Sequence, residues 1–130
     1  MMRTLLPPGW PRPRGFANGI AAEGRLVFTA GVIGWDASER LVAPDLVGQL
    51  RQLLRNTVAI LAEGGALPEH IVRMTWYVVD RDEYVANISE IGSVYREIIG
   101  KNYPAMAVVQ VVALVEPAAR VEIETIAVVP

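Results

Sequence analysis

The chain of 130 residues and 14.2 kDa is the size of one domain and long enough to bury a sizeable core. At 52% apolar and 20% charged residues it excludes a disordered composition. Twelve basic and fourteen acidic side chains leave a net charge of -2, so no basic footprint argues for a nucleic acid partner. The absence of cysteine excludes disulfides, a thiol nucleophile and any cysteine-ligated metal or cluster.

No stretch reaches the roughly 18 to 20 apolar residues needed to cross a bilayer. The start, Met1 to Trp10, lacks the long apolar run of a signal peptide. The expectation is a soluble cytoplasmic chain with no membrane contact, forming one domain over residues 1–130. Its first 18 residues read as an irregular arm. Pro7, Pro8, Gly9, Pro11, Pro13 and Gly15 prevent a helix there, and Arg12 and Arg14 are interleaved among them.

Ile20 to Ala22 and Leu26 to Ala30 read as strands joined by a tight Glu23-Gly24-Arg25 turn, which predicts a hairpin. A helix is expected from Pro44 to Ala62. Leu46, Leu50, Leu53, Leu54, Val58 and Leu61 make its apolar stripe, with Gln49, Gln52, Arg55 and Asn56 toward water and Gly64-Gly65 as the stop. Ile71 to Val79 is a strand with Met74, Trp76 and Val78 on one face. Its other face, Arg73, Thr75, Tyr77 and Val79, is too polar for core and too apolar for water, which suits a face covered by another subunit.

Asp80 and Glu83 predict a capped helix carrying Tyr84, Ile88, Ile91, Tyr95 and Ile98, stopped by Gly100. Met106 to Val115 is nearly all apolar and reads as a strand buried on both faces. The last strand, Arg120 to Val129, alternates between an apolar face and one holding Arg120, Glu122 and Glu124. The order is β-β-α-β-α-β-β, with room for a minor strand at Arg3 to Leu6. Two helices then cover one face of a mixed sheet, an α+β fold. The bare opposite face would expose a large apolar patch unless copies of the chain bury it together.

The chemistry-bearing residues are few. Ser38, Ser89 and Ser93 lie outside any Gly-x-Ser-x-Gly elbow. His70 is the only histidine and reads as a surface residue, so no multi-histidine metal site is expected. No dinucleotide or phosphate-binding loop is present, and no cofactor is expected. Gly31 at a strand end either permits a close backbone approach or lines a pocket. Glu122 and Glu124 are either solvated and paired with a cation, or one of them is a cleft carboxylate able to hold a water or a proton. Phe16 and Trp35, loop aromatics, either wall a ligand pocket or bury at a subunit contact.

Several segments together resemble one family. Gly15-Phe16-Ala17-Asn18, Leu26 to Gly31, Val78-Val79-Asp80, Tyr103-Pro104-Ala105 and Val121 to Ala127 resemble the YjgF-like or Rid superfamily, also known as the endoribonuclease L-PSP or translation inhibitor family. The resemblance implies a chorismate-mutase-like fold and a homotrimer. The sheets would form a central barrel, with small-molecule clefts between subunits. It also implies imine deaminase chemistry, hydrolysing 2-aminoacrylate and related imines to 2-keto acids and ammonia. Carried over by position, Gly31 and Glu122 match the family pattern, and Ala105 precedes the position of the carboxylate-binding arginine. Phe16 stands for a tyrosine, Ala30 for a serine and Met106 for that arginine. A thioether makes none of the charge-assisted hydrogen bonds of a guanidinium. The expectation is therefore a cleft for a less anionic or uncharged imine or related metabolite, a poor 2-aminoacrylate deaminase, or a non-catalytic binding trimer. Glu122 would handle the water, and Phe16, Ala30, Gly31, Trp35, Ala105 and Met106 would shape the cleft. The ribonuclease activity in the family's older name finds no support in the charge balance.

Overall fold

The computed structural model describes residues 2–130; Met1 lies outside them. In chain order the elements are β1 (Met2–Leu5), β2 (Gly19–Ala22), β3 (Arg25–Phe28), α1 (Leu46–Glu63), β4 (Ile71–Val78), α2 (Arg81–Ala86), α3 (Ile88–Ile98), β5 (Ala105–Gln110) and β6 (Val121–Val129). The main sheet runs β3-β6-β4-β5. β4 and β5 are parallel, and β6 lies antiparallel to both β3 and β4.

One face of this sheet is the core. Met74, Trp76 and Val78 of β4 and Val121, Ile123 and Ala127 of β6 pack against Leu50, Leu53, Leu54 and Leu61 of α1 and Ile91, Val94 and Tyr95 of α3. The period-two alternation of the strands and the helical spacing of the leucines place these residues together. The architecture is the expected α+β arrangement of a mixed sheet covered by two main helices. Asp45 caps α1 by accepting the Gly48 N–H at 3.0 Å. At the other end Ala66 N–H returns to Leu61 O at 2.9 Å around Gly64 and Gly65.

Five details differ from the sequence reading. First, β2 and β3 do not form the predicted hairpin. β2 pairs with β1 in a separate two-stranded sheet, and β3 pairs with β6. The arm is therefore not irregular throughout: β1 is the minor strand for which Arg3 to Leu6 left room. Gly24 serves a close approach instead of a hairpin turn: its φ is 146°, and a Cβ there would lie 2.7 Å from the carbonyl carbon of Val129.

Second, Gln49 is buried, not wet. Its Nε2 donates to Ala43 O and Ala118 O, both at 3.0 Å, and its Oε1 accepts Arg120 N–H at 2.7 Å. It stitches α1 to the loop before β6. Third, the second helix divides at Asn87 into α2 and α3, and Asn87 Nδ2 donates to Glu83 O at 2.8 Å, closing the last turn of α2.

Fourth, β5 stops at Gln110. The residues that follow leave the sheet, and Val112 and Val115 are fully exposed, so the apolar run is a short strand and an excursion. The strand is not buried on both faces within the chain; Val109 is exposed. Fifth, Arg120 does not offset the charges of Glu122 and Glu124. Its guanidinium donates twice to Glu83 Oε1, at 3.0 and 2.7 Å, and lies 3.8 Å from Asp80. Asp80 caps α2 as expected, accepting from the N–H groups of Asp82 and Glu83.

Candidate functional site

The uncovered sheet face carries Leu26 and Phe28 of β3, Glu122 and Glu124 of β6, Arg73 and Tyr77 of β4 and Val109 of β5. Phe28 is 61% and Leu26 58% exposed. Glu122 stands opposite Tyr77 in the register and Glu124 opposite Thr75. The Tyr77 hydroxyl reaches diagonally to donate to Glu124 Oε1 at 2.6 Å. That hydrogen bond to a carboxylate holds the Tyr77 phenol above its ordinary pKa; Arg73 opposes the shift.

A β-bulge sets Gly31 against Glu122. Thr29 N–H donates to Thr125 O at 2.9 Å, and the next pair along is Val32 with Ile123, at 2.9 and 3.0 Å. Two residues, Ala30 and Gly31, thus stand across from Glu124's single neighbour step on β6, one more than a regular ladder allows. Thr29 Oγ1 fixes the distortion by donating to Ala30 O at 2.8 Å and accepting Thr125 N–H at 3.1 Å. A Cβ on Gly31 would overlap the Glu122 carboxylate, 2.8 Å from its Cδ. The half-buried Glu122 thus lies on the bare Cα of Gly31.

A separate cleft of about 520 Å³ opens between the β5 edge and α2–α3. The N-terminal arm completes it. Ala17 N–H donates to Pro104 O at 2.9 Å and bridges Ala105, so the arm adds one strand-like step to the edge of β5. That contact seats Phe16 in the cleft beside Met106 and Val108. Tyr95 and Tyr103 stack at 5.7 Å, and Trp76 meets Tyr84 edge-on at 6.3 Å. Burial pushes the phenols of Tyr84 and Tyr95 up. The buried indole N–H of Trp76 has no hydrogen-bond partner among the described residues. Arg14 and Arg96 stand among the lining residues.

Within one chain the expected site residues fall into two groups. Met106 pairs with the core residue Met74 and faces the helices; Glu122 pairs with Tyr77 and faces the opposite way. β4 lies between their strands, which separates the two backbones by roughly 10 Å. Ala30, Gly31 and Glu122 form one group, and Phe16 and Met106 the other. Ala105, level with Arg73, sits at the start of β5 where the arm attaches. Trp35 stands apart in the loop after β3, bridged to Leu41, with its carbonyl accepting from Asn56 at 2.8 Å. His70 closes a 3₁₀ turn at 68–70, its Nδ1 accepting Leu67 N–H at 2.9 Å. Among the described residues no three histidine, aspartate or glutamate side chains gather as a metal site.

Sequence reasoning missed Tyr77 as the partner of Glu124, and it missed Tyr103, Arg14 and Arg96 as cleft residues. Tyr77 was visible as a phenol on a face unsuited to water. Arg14 was visible only as a charge among prolines, and nothing in the sequence reading singled out Arg96.

The fold and the sequence both have close counterparts. A Rid-family protein of unknown function, YyfB from Yersinia pestis, superposes with a TM-score of 0.87 at 30% identity, covering 98% of each chain. A RutC family protein from Haemophilus influenzae is 35% identical over 105 residues, 81% of this chain and 80% of its own. A 2-iminobutanoate/2-iminopropanoate deaminase from Capra hircus is 34% identical over 105 residues, 80% of this chain and 73% of its own. Residues 12–129 match the family described as endoribonuclease L-PSP. The chain belongs to that family, the YjgF-like Rid superfamily.

Proposed function

We propose that the protein works as a homotrimer whose clefts between subunits bind a small metabolite and hydrolyse an imine or enamine bond in it. The observation that carries this reading is the placement of the Gly31–Glu122 pair and the Phe16–Met106 cleft on opposite faces of the sheet. Neither half is a complete pocket. A neighbouring copy laid against the uncovered face would bring its own cleft to Glu122 and bury Leu26 and Phe28 in the same contact.

In that shared cleft Glu122 accepts a proton from water as the water oxygen attacks the imine carbon. The proton passes to the nitrogen, the hydroxyl proton of the resulting carbinolamine follows it as the C–N bond breaks, and ammonia leaves behind a carbonyl product. The deaminase relative supports this reaction class. Met106 narrows it. The loss of a guanidinium anchor costs about 2 to 5 kcal/mol of carboxylate binding at that position, so 2-iminopropanoate is a poor substrate.

The test is turnover of imines generated in situ by an amino-acid oxidase. The expected result is slow keto-acid formation from 2-iminopropanoate, faster reaction with imines bearing larger apolar groups, and loss of both in Glu122→Gln. A 2-iminopropanoate rate equal to that of the Capra hircus relative, or an active Glu122→Gln, would contradict it. A second reading, a trimer that binds without turnover, is favoured by Met106 alone. Binding with no hydrolysis across the imine panel would establish it.

A further inference from the structure

A second cavity, of about 560 Å³, lies between the N-terminal arm, the β1–β2 ribbon and the body of the domain. It shares only Phe16 and Tyr103 with the cleft beside β5. Leu5 of β1, Ile20 of β2 and the buried Ile71 at the start of β4 give it an apolar lining. Three charged side chains stand around it, each on a different segment. Arg12 is on the arm, Glu69 in the 3₁₀ turn before β4, and Lys101, the chain's only lysine, in the loop after α3. All three are exposed, and none has a side-chain hydrogen bond or ion pair among the described residues; the ion pairs join Arg51, Arg55 and Arg120 to Glu97, Glu83 and Asp80 instead. The arm in the cavity wall is fastened at Ala17, whose N–H donates to Pro104 O at 2.9 Å. Pro11 and Pro13 have no N–H to give, and among the described residues 11–16 make no backbone hydrogen bond to the body.

Unpaired charges of both signs around an apolar lining select one class of ligand. Two cations alone would suit a dianion, but Glu69 repels it. A plain hydrocarbon would leave all three charges unused. A molecule with a carboxylate and an ammonium on one carbon, and an apolar body beyond it, uses every feature. We propose that this cavity binds an α-amino acid with an apolar side chain, taken up as its zwitterion. Arg12 and Lys101 hold the carboxylate, Glu69 holds the ammonium, and the side chain rests on Leu5, Ile20 and Ile71. The volume lies within the ordinary range of small-molecule sites. Neither Glu122 nor Met106 takes part, so the site stands whether or not the hydrolase reading does.

The test titrates leucine, 4-methylpentanoate and 3-methylbutylamine into the intact protein by calorimetry or ligand-observed NMR. The second compound lacks the ammonium and the third lacks the carboxylate, while the hydrocarbon is shared. Leucine should bind about tenfold or more tightly than either, the scale of one charge-assisted contact, and more tightly than glycine, which lacks the apolar body. Glu69→Gln should bring leucine down to the affinity of 4-methylpentanoate. The double variant Arg12→Gln with Lys101→Gln should bring it down to that of 3-methylbutylamine. The three side chains are exposed and unpaired, so both variants should keep the native circular dichroism. Leucine that binds no better than a single-charge analogue, or that shows no binding at millimolar concentration, would overturn the proposal. So would an advantage for leucine that survives both variants, because the amino acid would then sit elsewhere.

Discussion

The Glu122 carboxylate rests on the bare Cα of Gly31, in space that any side chain at residue 31 would occupy. The bulge at Ala30–Gly31 creates this contact, and the Thr29 hydroxyl holds the bulge. The glycine therefore sets the position of a carboxylate, and its replacement should disturb that carboxylate more than the fold.

Gly31→Ala and Gly34→Ala separate these two effects. A methyl at Gly31 meets the flexible end of Glu122, which can swing away. The thermal midpoint should move little, within the ±0.5 kcal/mol or so of an ordinary surface change, while turnover or ligand binding falls. A methyl at Gly34 meets the backbone of α1, 2.8 Å from Gln49 Cα, which cannot yield. That variant should lose about 1 to 3 kcal/mol. Equal midpoints for the two variants would contradict the assignment.

Gln49→Leu removes three part-buried hydrogen bonds and leaves the Arg120 N–H and the Ala43 and Ala118 carbonyls without this partner. Losing three part-buried bonds of this kind should cost about 1 to 3 kcal/mol together. Denaturant unfolding measures this; a variant as stable as the parent would show that water replaces the side chain.

Met106→Arg restores a cation at the position where the family pattern expects one. Turnover of 2-iminopropanoate should rise about tenfold or more, the scale of one charge-assisted contact. It should remain dependent on Glu122. An unchanged rate would place the limitation elsewhere, with Phe16 and Ala30 as the remaining departures.

Tyr95 gives the fold an alkaline limit. Burial, with Tyr103 beside it, raises its pKa in the native state, whereas an unfolded tyrosine ionises near about 10. Below that value both states hold the proton and the stabilisation is complete. Above it the unfolded state releases the proton first, so stability falls as pH rises toward the native pKa. The urea midpoint should drop between pH 8 and pH 10.5. Tyr95→Phe, which also loses the 2.5 Å hydrogen bond to Asn102 O, should show a smaller drop from a lower start. An identical drop in both proteins would assign the effect to other groups.

The fold was legible where periodicity met burial. The leucines of α1, the alternation of β4 and β6 and the cap at Asp80 all follow from local rules, and each stands as read. Failures came where a distant partner decided the outcome. Gln49 sits on α1 where spacing points to water, but backbone groups of the loops at Ala43 and Ala118 surround it. The segment after Val111 is as apolar as a strand, yet no neighbouring strand receives it. Arg120 alternates with Glu122 in sequence, but Glu83 of α2 holds its guanidinium. The candidate site divides in the same way. Gly31 and Glu122 could be singled out individually. Their contact could not, because it depends on one extra residue in a ladder between segments 91 positions apart.

The shared cleft is the claim on which the function rests, and sedimentation velocity tests it most directly. The protein should sediment at about three times its 14.2 kDa chain mass, and Phe28→Glu, which puts a charge on the uncovered face, should sediment as a single chain. A parent protein that is monomeric at micromolar concentration, with Leu26 and Phe28 facing water, would contradict the account.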